Sequence, residues 1–413
     1  MMAVGRGERR GVKETGHRWE FKARFRRNAF GWRSQPAVQR VKEAVSEIKR
    51  VARRDPVLAV DGAVTLLERI SPALESVDSS SGSIGTAVHN AIEELVPIIG
   101  AAPADPRTRA AWMERLWAAS EADRIPYIES LAEHWGELCG SKEVASEWAD
   151  RLLDITRLAL SPDQSTRGYF HGTPACFSAL LRAERHGEIL SLLEKETFWH
   201  YRRWAVLALA ATGKKSEAIE LAESSRGSWT SDGDVNRICE DILLSSGQVA
   251  EAYERYGLAA NRAGTYLATF RSVARKYPHK AAADILRDLA ATTPGQEGKW
   301  FAAAKDAGLY EEALELASAS PCDPRTLTRA ARDLGATQPA FALGAGLLAL
   351  RRLVEGYGYE ITGADVLAAY SATMEAARRQ GIEGQTRQRL RELVAAEAPR
   401  GFVSGILGEE IGL

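Results

Sequence analysis

The sequence predicts an all-α fold, an α-solenoid of paired antiparallel helices, and three observations carry that expectation. From Pro36 onward apolar residues recur at helical spacing, the period that lets one stripe of a helix enter a core. Alternating segments of the strand type are nearly absent, and short polar breaks cut the pattern into single-helix lengths. In chain order the spacing predicts helices over 36–53, 56–75, 84–99, 107–121, 124–139, 142–160, 173–184, 187–195, 199–212, 215–225, 234–246 and 249–257. Further helices are predicted over 265–277, 280–291, 297–307, 310–318, 324–334, 338–354, 363–380 and 385–397.

The second half carries a repeated signature: Gly213 with Glu217, Ala218 and Ile219, Gly247 with Glu251, Ala252 and Tyr253, and Gly308 with Glu312, Ala313 and Leu314, with a fainter copy at Gly187. In each copy the glycine is expected to close one helix while the alanine packs the next. The spacing is near one or two units of about 30–34 residues, the period of helix-turn-helix arrays. The pattern resembles tetratricopeptide-like repeats, without their turn proline and signature tryptophan. Residues 36–160 have longer helices and no such glycine, and look more like HEAT-type pairs. The expected organisation is a basic aromatic arm at 1–35, a HEAT-like region at 36–160, TPR-like repeats at 161–335 and a helical cap at 336–413. The loop Ser161–Gly172 is short and carries Tyr169 and Phe170, so the two arrays are expected to stack continuously.

Composition narrows the class. With 45% apolar and 26% charged residues, the chain reads as globular, neither a disordered tail nor a fibre. The longest apolar run, Phe341–Leu350, contains two glycines and falls well short of the roughly 18–20 residues that cross a bilayer. The first thirty residues lack an apolar core and carry Glu8, Glu14 and Glu20, so no secretory signal is read and a cytoplasmic location is expected. Cys139, Cys176, Cys239 and Cys322 show no paired ligand spacing, so neither structural zinc nor a disulfide framework is expected. No Walker loop or nucleotide-binding fingerprint is present either, and no cofactor is expected.

The near-neutral net charge of −1 hides an asymmetry. Residues 1–54 hold 16 Lys+Arg against 5 Asp+Glu, and the rest holds 38 against 50. A cationic segment of this kind attracts a polyanion with steep salt dependence. Between Arg18 and Arg33 rings alternate with guanidinium groups, so Arg24, Arg26, Arg27, Trp32 and Arg33 are candidate contacts to phosphates and bases. The rival reading docks these aromatics on the first helices.

Three further clusters stand out. Ser80, Ser81 and Ser83 form a polar loop at a helix start, where free N–H groups favour an anion. On that helix Ile84, Val88, Ala91, Leu95 and Ile99 form the expected buried stripe, leaving Thr86, His89, Asn90 and Glu93 opposite. His89 and Glu93 are four apart, near enough to act as an acid–base pair, or to form an ordinary solvated face. Glu129, Glu133 and Glu137, then Glu147, Asp150 and Asp154, make acidic stripes on two successive helices. A carboxylate there, Glu137 or Asp150, would stabilise a cationic sugar; the alternative is a solvated face or a dock for the arm. Trp135 and Trp148 lie on the apolar sides and read as core. Finally, Trp199, His200 and Arg203, with Arg262, Arg271, Arg275, Lys276, His279 and Lys280, would line a basic surface with rings for stacking, or snorkel over packed aromatics.

Paired helices with tryptophans, a basic groove, internal acids and a basic arm resemble the HEAT-like-repeat alkylpurine DNA glycosylases over about residues 36–280. The resemblance implies duplex DNA as partner, an Asp or Glu assisting cleavage of the N-glycosidic bond, and tryptophans flanking the lesion. In that family the carboxylate and a tryptophan share one helical face. Here Asp150 follows Trp148 by two and lies on another face, whereas Trp117 and Glu121 are four apart. The function expected is a DNA glycosylase that excises modified or damaged bases, a hydrolase of DNA repair or antiviral defence. The alternative is a non-catalytic solenoid that holds a protein partner.

Overall fold

A computed structural model describes residues 17–163, 165, 167–227, 230–395 and 401–412, and every regular element among them is helical. The chain divides into two compact units, Met1–Thr230 and Ser231–Leu413. Within each unit helices pack chiefly on their neighbours in the chain, as an α-solenoid does. No described helix is long and apolar enough to cross a membrane.

In the first unit the helix Ser34–Ala52 packs on Pro56–Leu74 and Ser83–Ala101, and Lys142–Ala159 packs on Thr173–Arg182. Their starts are written locally. Asp55 accepts the Leu58 N–H at 2.9 Å and Asp105 accepts those of Arg107 and Thr108, each followed by proline at the first helical position, where its missing N–H costs nothing. The stripe Ile84, Val88, Ala91, Leu95 and Ile99 is buried as its spacing requires. Arg109 is also buried and donates to the carbonyls of Ile99 at 2.5 Å, Ala102 at 2.6 Å and Leu138 at 3.2 Å, tying the end of Ser83–Ala101 to the next layer.

The segment expected to be one helix over 124–139 differs. Glu129–His134 is a 3-10 helix that passes into the short α-helix Trp135–Leu138. Its tighter turn rotates residues four apart away from one another, so Glu129 and Glu133 are not stacked on one face as an α-helix would place them.

The repeat glycines act as expected. Gly213, Gly247 and Gly308 take φ of +83°, +73° and +74°. After each the chain closes back, with Lys214 N–H on Leu209 O, Gln248 N–H on Leu243 O and Leu309 N–H on Ala304 O, all at 3.0 Å, the hydrogen bond of a Schellman cap. Ala218, Ala252 and Ala313 are fully buried. The fainter copy is out of register: the left-handed residue there is Glu184, φ +60°, and Gly187 lies within the helix His186–Leu192.

In the second unit Pro324–Leu334 packs on Pro339–Val354, which packs on Gly363–Arg379. Two helices the periodicity did not predict, Glu20–Arg24 and Phe402–Ile411, lie at the two ends of the described chain.

Candidate functional site

The N-terminal segment is docked. Residues 1–16 of the basic arm lie outside the described residues. Beyond them Trp19, Phe21 and Phe25 are buried, with Phe21 and Phe25 edge to face at 6.3 Å. The Trp19 indole occupies the space where Gly62 would carry a Cβ, and Glu47 accepts the N–H groups of Glu20 and Phe21, at 2.9 and 3.3 Å. Arg24 is paired with Glu43 at 3.0 Å and Arg27 with Glu75 at 3.4 Å. The alternation of rings and guanidinium groups therefore serves docking at these positions. Trp32, 72% exposed, and the exposed Arg26 and Arg33 remain turned to solvent.

The same segment meets the serine loop. Asp78 N–H donates to Trp32 O at 2.8 Å, and Ser83 Oγ to Ser34 Oγ at 3.3 Å. Trp32 and Arg33 are thus brought beside exposed Ser80, Ser81 and Ser83 at the start of the helix Ser83–Ala101. Asp78 also sits in the loop, its carboxyl held below the usual range by the Ser80 N–H it accepts.

Farther along this helix Glu93 lies 4.0 Å from His89 Nε2 and 3.1 Å from His134 Nε2, a neighbour the sequence reading missed because it comes from the next layer. His89, Asn90 and Glu93 are exposed. The acidic stripes are mostly engaged. Glu129 accepts the Tyr169 hydroxyl at 3.1 Å, Glu133 pairs with Arg203 at 2.6 Å, Asp150 with Arg185 at 2.6 Å and Asp154 with Arg157 at 3.1 Å. Glu137 is exposed, its Cγ lying against Gly100.

The basic surface is also largely neutralised. Trp199 is buried rather than offered for stacking; His200 is half-buried, and burial, helped by Arg203, lowers its pKa. In the second unit Arg271 pairs with Asp306 at 2.5 Å and Lys276 with Glu240 at 2.6 Å and Asp241 at 2.9 Å. Arg275 is exposed.

One constellation the sequence reading did not assemble lies in the first unit, a cavity of about 280 Å³ lined by Trp117, Trp135, Tyr169 and His171 with the carboxylates Glu121, Asp123 and Glu129. Trp117 and Trp135 meet edge to face at 5.5 Å, Trp148 backs both, and His171 stacks on Trp117 at 5.4 Å with 25° between planes. The Phe170 and Trp117 rings leave Gly172 no room for a side chain. Asp123 accepts Ser71 Oγ at 2.5 Å and Ile128 N–H at 2.8 Å, while burial raises its carboxyl above the ordinary aspartate value. Exposed Glu121 has no ion pair among the described residues. Trp135 Nε1 and His171 Nε2 are buried without a hydrogen-bond partner among the described residues. The local sequence signal was the i, i+4 pair Trp117 and Glu121; nothing local linked it to Tyr169 and His171.

All four cysteines are buried, and burial pushes the Cys176 thiol up to about 11 and those of Cys139 and Cys322 to about 12, so these three are poor nucleophiles. Among the described residues no group of three His, Cys, Asp or Glu is placed to hold a metal ion. Compared with known proteins, the chain matches no family model and no curated sequence.

Proposed function

We propose that the protein binds duplex DNA and excises a modified or damaged base, with the Trp117 cavity receiving the extruded nucleotide's base. The observation that carries this reading is the presence, in one unit, of a cavity lined by aromatic rings and three carboxylates and of a cationic segment bearing an exposed tryptophan. An enzyme that acts on a base must take it out of the stack and hold it between rings. Exposed Tyr169 and half-buried His171 are the rings assigned to hold it, over a floor of buried Trp117 and Trp135.

The chemistry assigned to the site is electrostatic. As the N-glycosidic bond lengthens, positive charge grows on the sugar, and a preorganised carboxylate lowers that barrier. Glu121 takes this role because it shares the Trp117 face. Asp123, held by Ser71 and Ile128, shapes the loop beside it. Glu93, Glu137 and Asp150 do not line the cavity, which favours Glu121 over them. Arg26, Trp32 and Arg33, beside the serine loop, are assigned to backbone and base contacts outside the cavity.

Fluorescence anisotropy with a labelled duplex tests the binding half. Affinity is expected to fall steeply with salt and to weaken when Arg26, Trp32 and Arg33 are together replaced by alanine. Absence of binding at low salt would remove DNA as the partner and leave a scaffold for a protein.

A further inference from the structure

The second unit holds a cavity of its own, about 280 Å³, formed where the helix Leu258–Ala260 turns through residues 261–265 into the helix Tyr266–Lys276. Its walls are apolar and aromatic. Leu258, Leu289, Tyr266 and Trp300 line it, with the last two rings edge to face at 4.7 Å. Both rings are fixed, since Tyr266 donates to Gln296 at 2.8 Å and Trp300 Nε1 to Thr293 at 2.9 Å.

The formal charge at this cavity is of one sign. No carboxylate lines it, and its single charged residue is Arg262. Several other cations of the unit are matched: Arg271 with Asp306, Lys276 with Glu240 and Asp241, Lys280 with Asp288, Arg287 with Asp284. Arg262 has no ion pair among the described residues. Beside it Thr265 Oγ accepts the Ala268 N–H at 3.1 Å, which leaves the hydroxyl proton to donate. The N–H groups of Tyr266 and Leu267, in the first turn of an 11-residue helix, have no acceptor within that helix.

The chain is also distorted directly before this cavity. Tyr253–Gly257 is a π-helical turn, and a Cβ on Gly257 would meet the Tyr277 ring at 3.0 Å. Wider turns of this kind shift the register of the adjoining helix and recur at ligand sites. Here the next residues, Leu258 and Ala259, become cavity wall.

We infer that this cavity binds a small monoanionic ligand with a planar apolar body, an aromatic carboxylate in chemical class, its anion on Arg262 and Thr265 and its ring against Tyr266 and Trp300. The cavity is at the small end of ligand sites, and the pattern of apolar walls with few placed polar groups is theirs. The site is separate from the cavity assigned to a base, and stands or falls independently of it.

Isothermal titration of the full chain with 2-naphthoate, 2-naphthylmethanol and 2-naphthylmethylammonium tests the assignment. Saturable one-to-one binding of 2-naphthoate is expected, at least tenfold tighter than the alcohol, with no saturable binding of the ammonium compound. Arg262→Gln, an exposed position, should weaken 2-naphthoate at least tenfold and bring it close to the alcohol. Ala259→Trp should block all three probes. The inference is overturned if no probe saturates, if the cation binds as well as the anion, or if folded Arg262→Gln, checked by circular dichroism, binds 2-naphthoate unchanged.

Discussion

Asp123 shows how a single carboxyl records its surroundings. Its ordinary pKa is 3.8, and burial raises it in the folded chain against the opposing hydrogen bonds from Ser71 and Ile128. The folded state therefore holds this proton more tightly than the unfolded state. Its contribution to stability accordingly falls as pH rises from about 3.8 through the raised value and is flat above it. Urea unfolding of the wild type and Asp123→Asn across that range should give a difference in stability that changes inside the window and not above it. A constant difference would mean that Asp123 is not desolvated. Trp117 is the second test at this scale. Truncating it to alanine removes the ring that carries His171 and abuts Gly172 and should cost about 3–5 kcal/mol if the core cannot close, measurable as a loss of unfolding free energy.

At the scale of the element, the glycine caps are the most local feature of the fold. Gly213, Gly247 and Gly308 have no atom within 4 Å of an added Cβ, so alanine there is penalised by backbone conformation alone. Each Gly→Ala change should cost about 1–2 kcal/mol in stability, read by chemical denaturation; a cost near zero would mean that the turn relaxes into another shape. These caps were legible because glycine, the following acid and alanine are contiguous in sequence. The stripe from Ile84 to Ile99 was legible for the same reason. The 3-10 turn at Glu129–His134 was not, since its residues fit a helix and its geometry comes from packing between the helices on either side. The fate of Arg203, Arg271 and Asp150 was equally hidden, because each partner lies about 35 or more residues away in sequence. The Trp117 cavity joins residues of the stretch 117–135 to Tyr169 and His171, more than thirty residues on, and only the Trp117–Glu121 spacing pointed toward it.

At the scale of the whole molecule the charge asymmetry supports the DNA-binding half of the proposal, although docking removes much of what the sequence offered. Residues 17–54 still hold 12 Lys+Arg against 3 Asp+Glu. If Arg26 and Arg33 each neutralise one phosphate, replacing both should reduce the slope of log affinity against log salt by about 2. Trp32→Ala should instead weaken binding by about 1–3 kcal/mol without changing that slope, as a stacking contact does. The same anisotropy titrations separate the two: an equal effect of both changes on the slope would contradict the division of roles.

The most direct measurement is incubation of the purified protein with duplexes carrying natural and modified bases, followed by detection of alkali-labile abasic sites. The expected result is strand scission dependent on the protein for at least one modified base, slowed about a hundredfold or more in Glu121→Gln while DNA affinity is retained. Tight binding with no abasic site on any substrate, or full activity in Glu121→Gln, would contradict the assignment of the cavity to base excision.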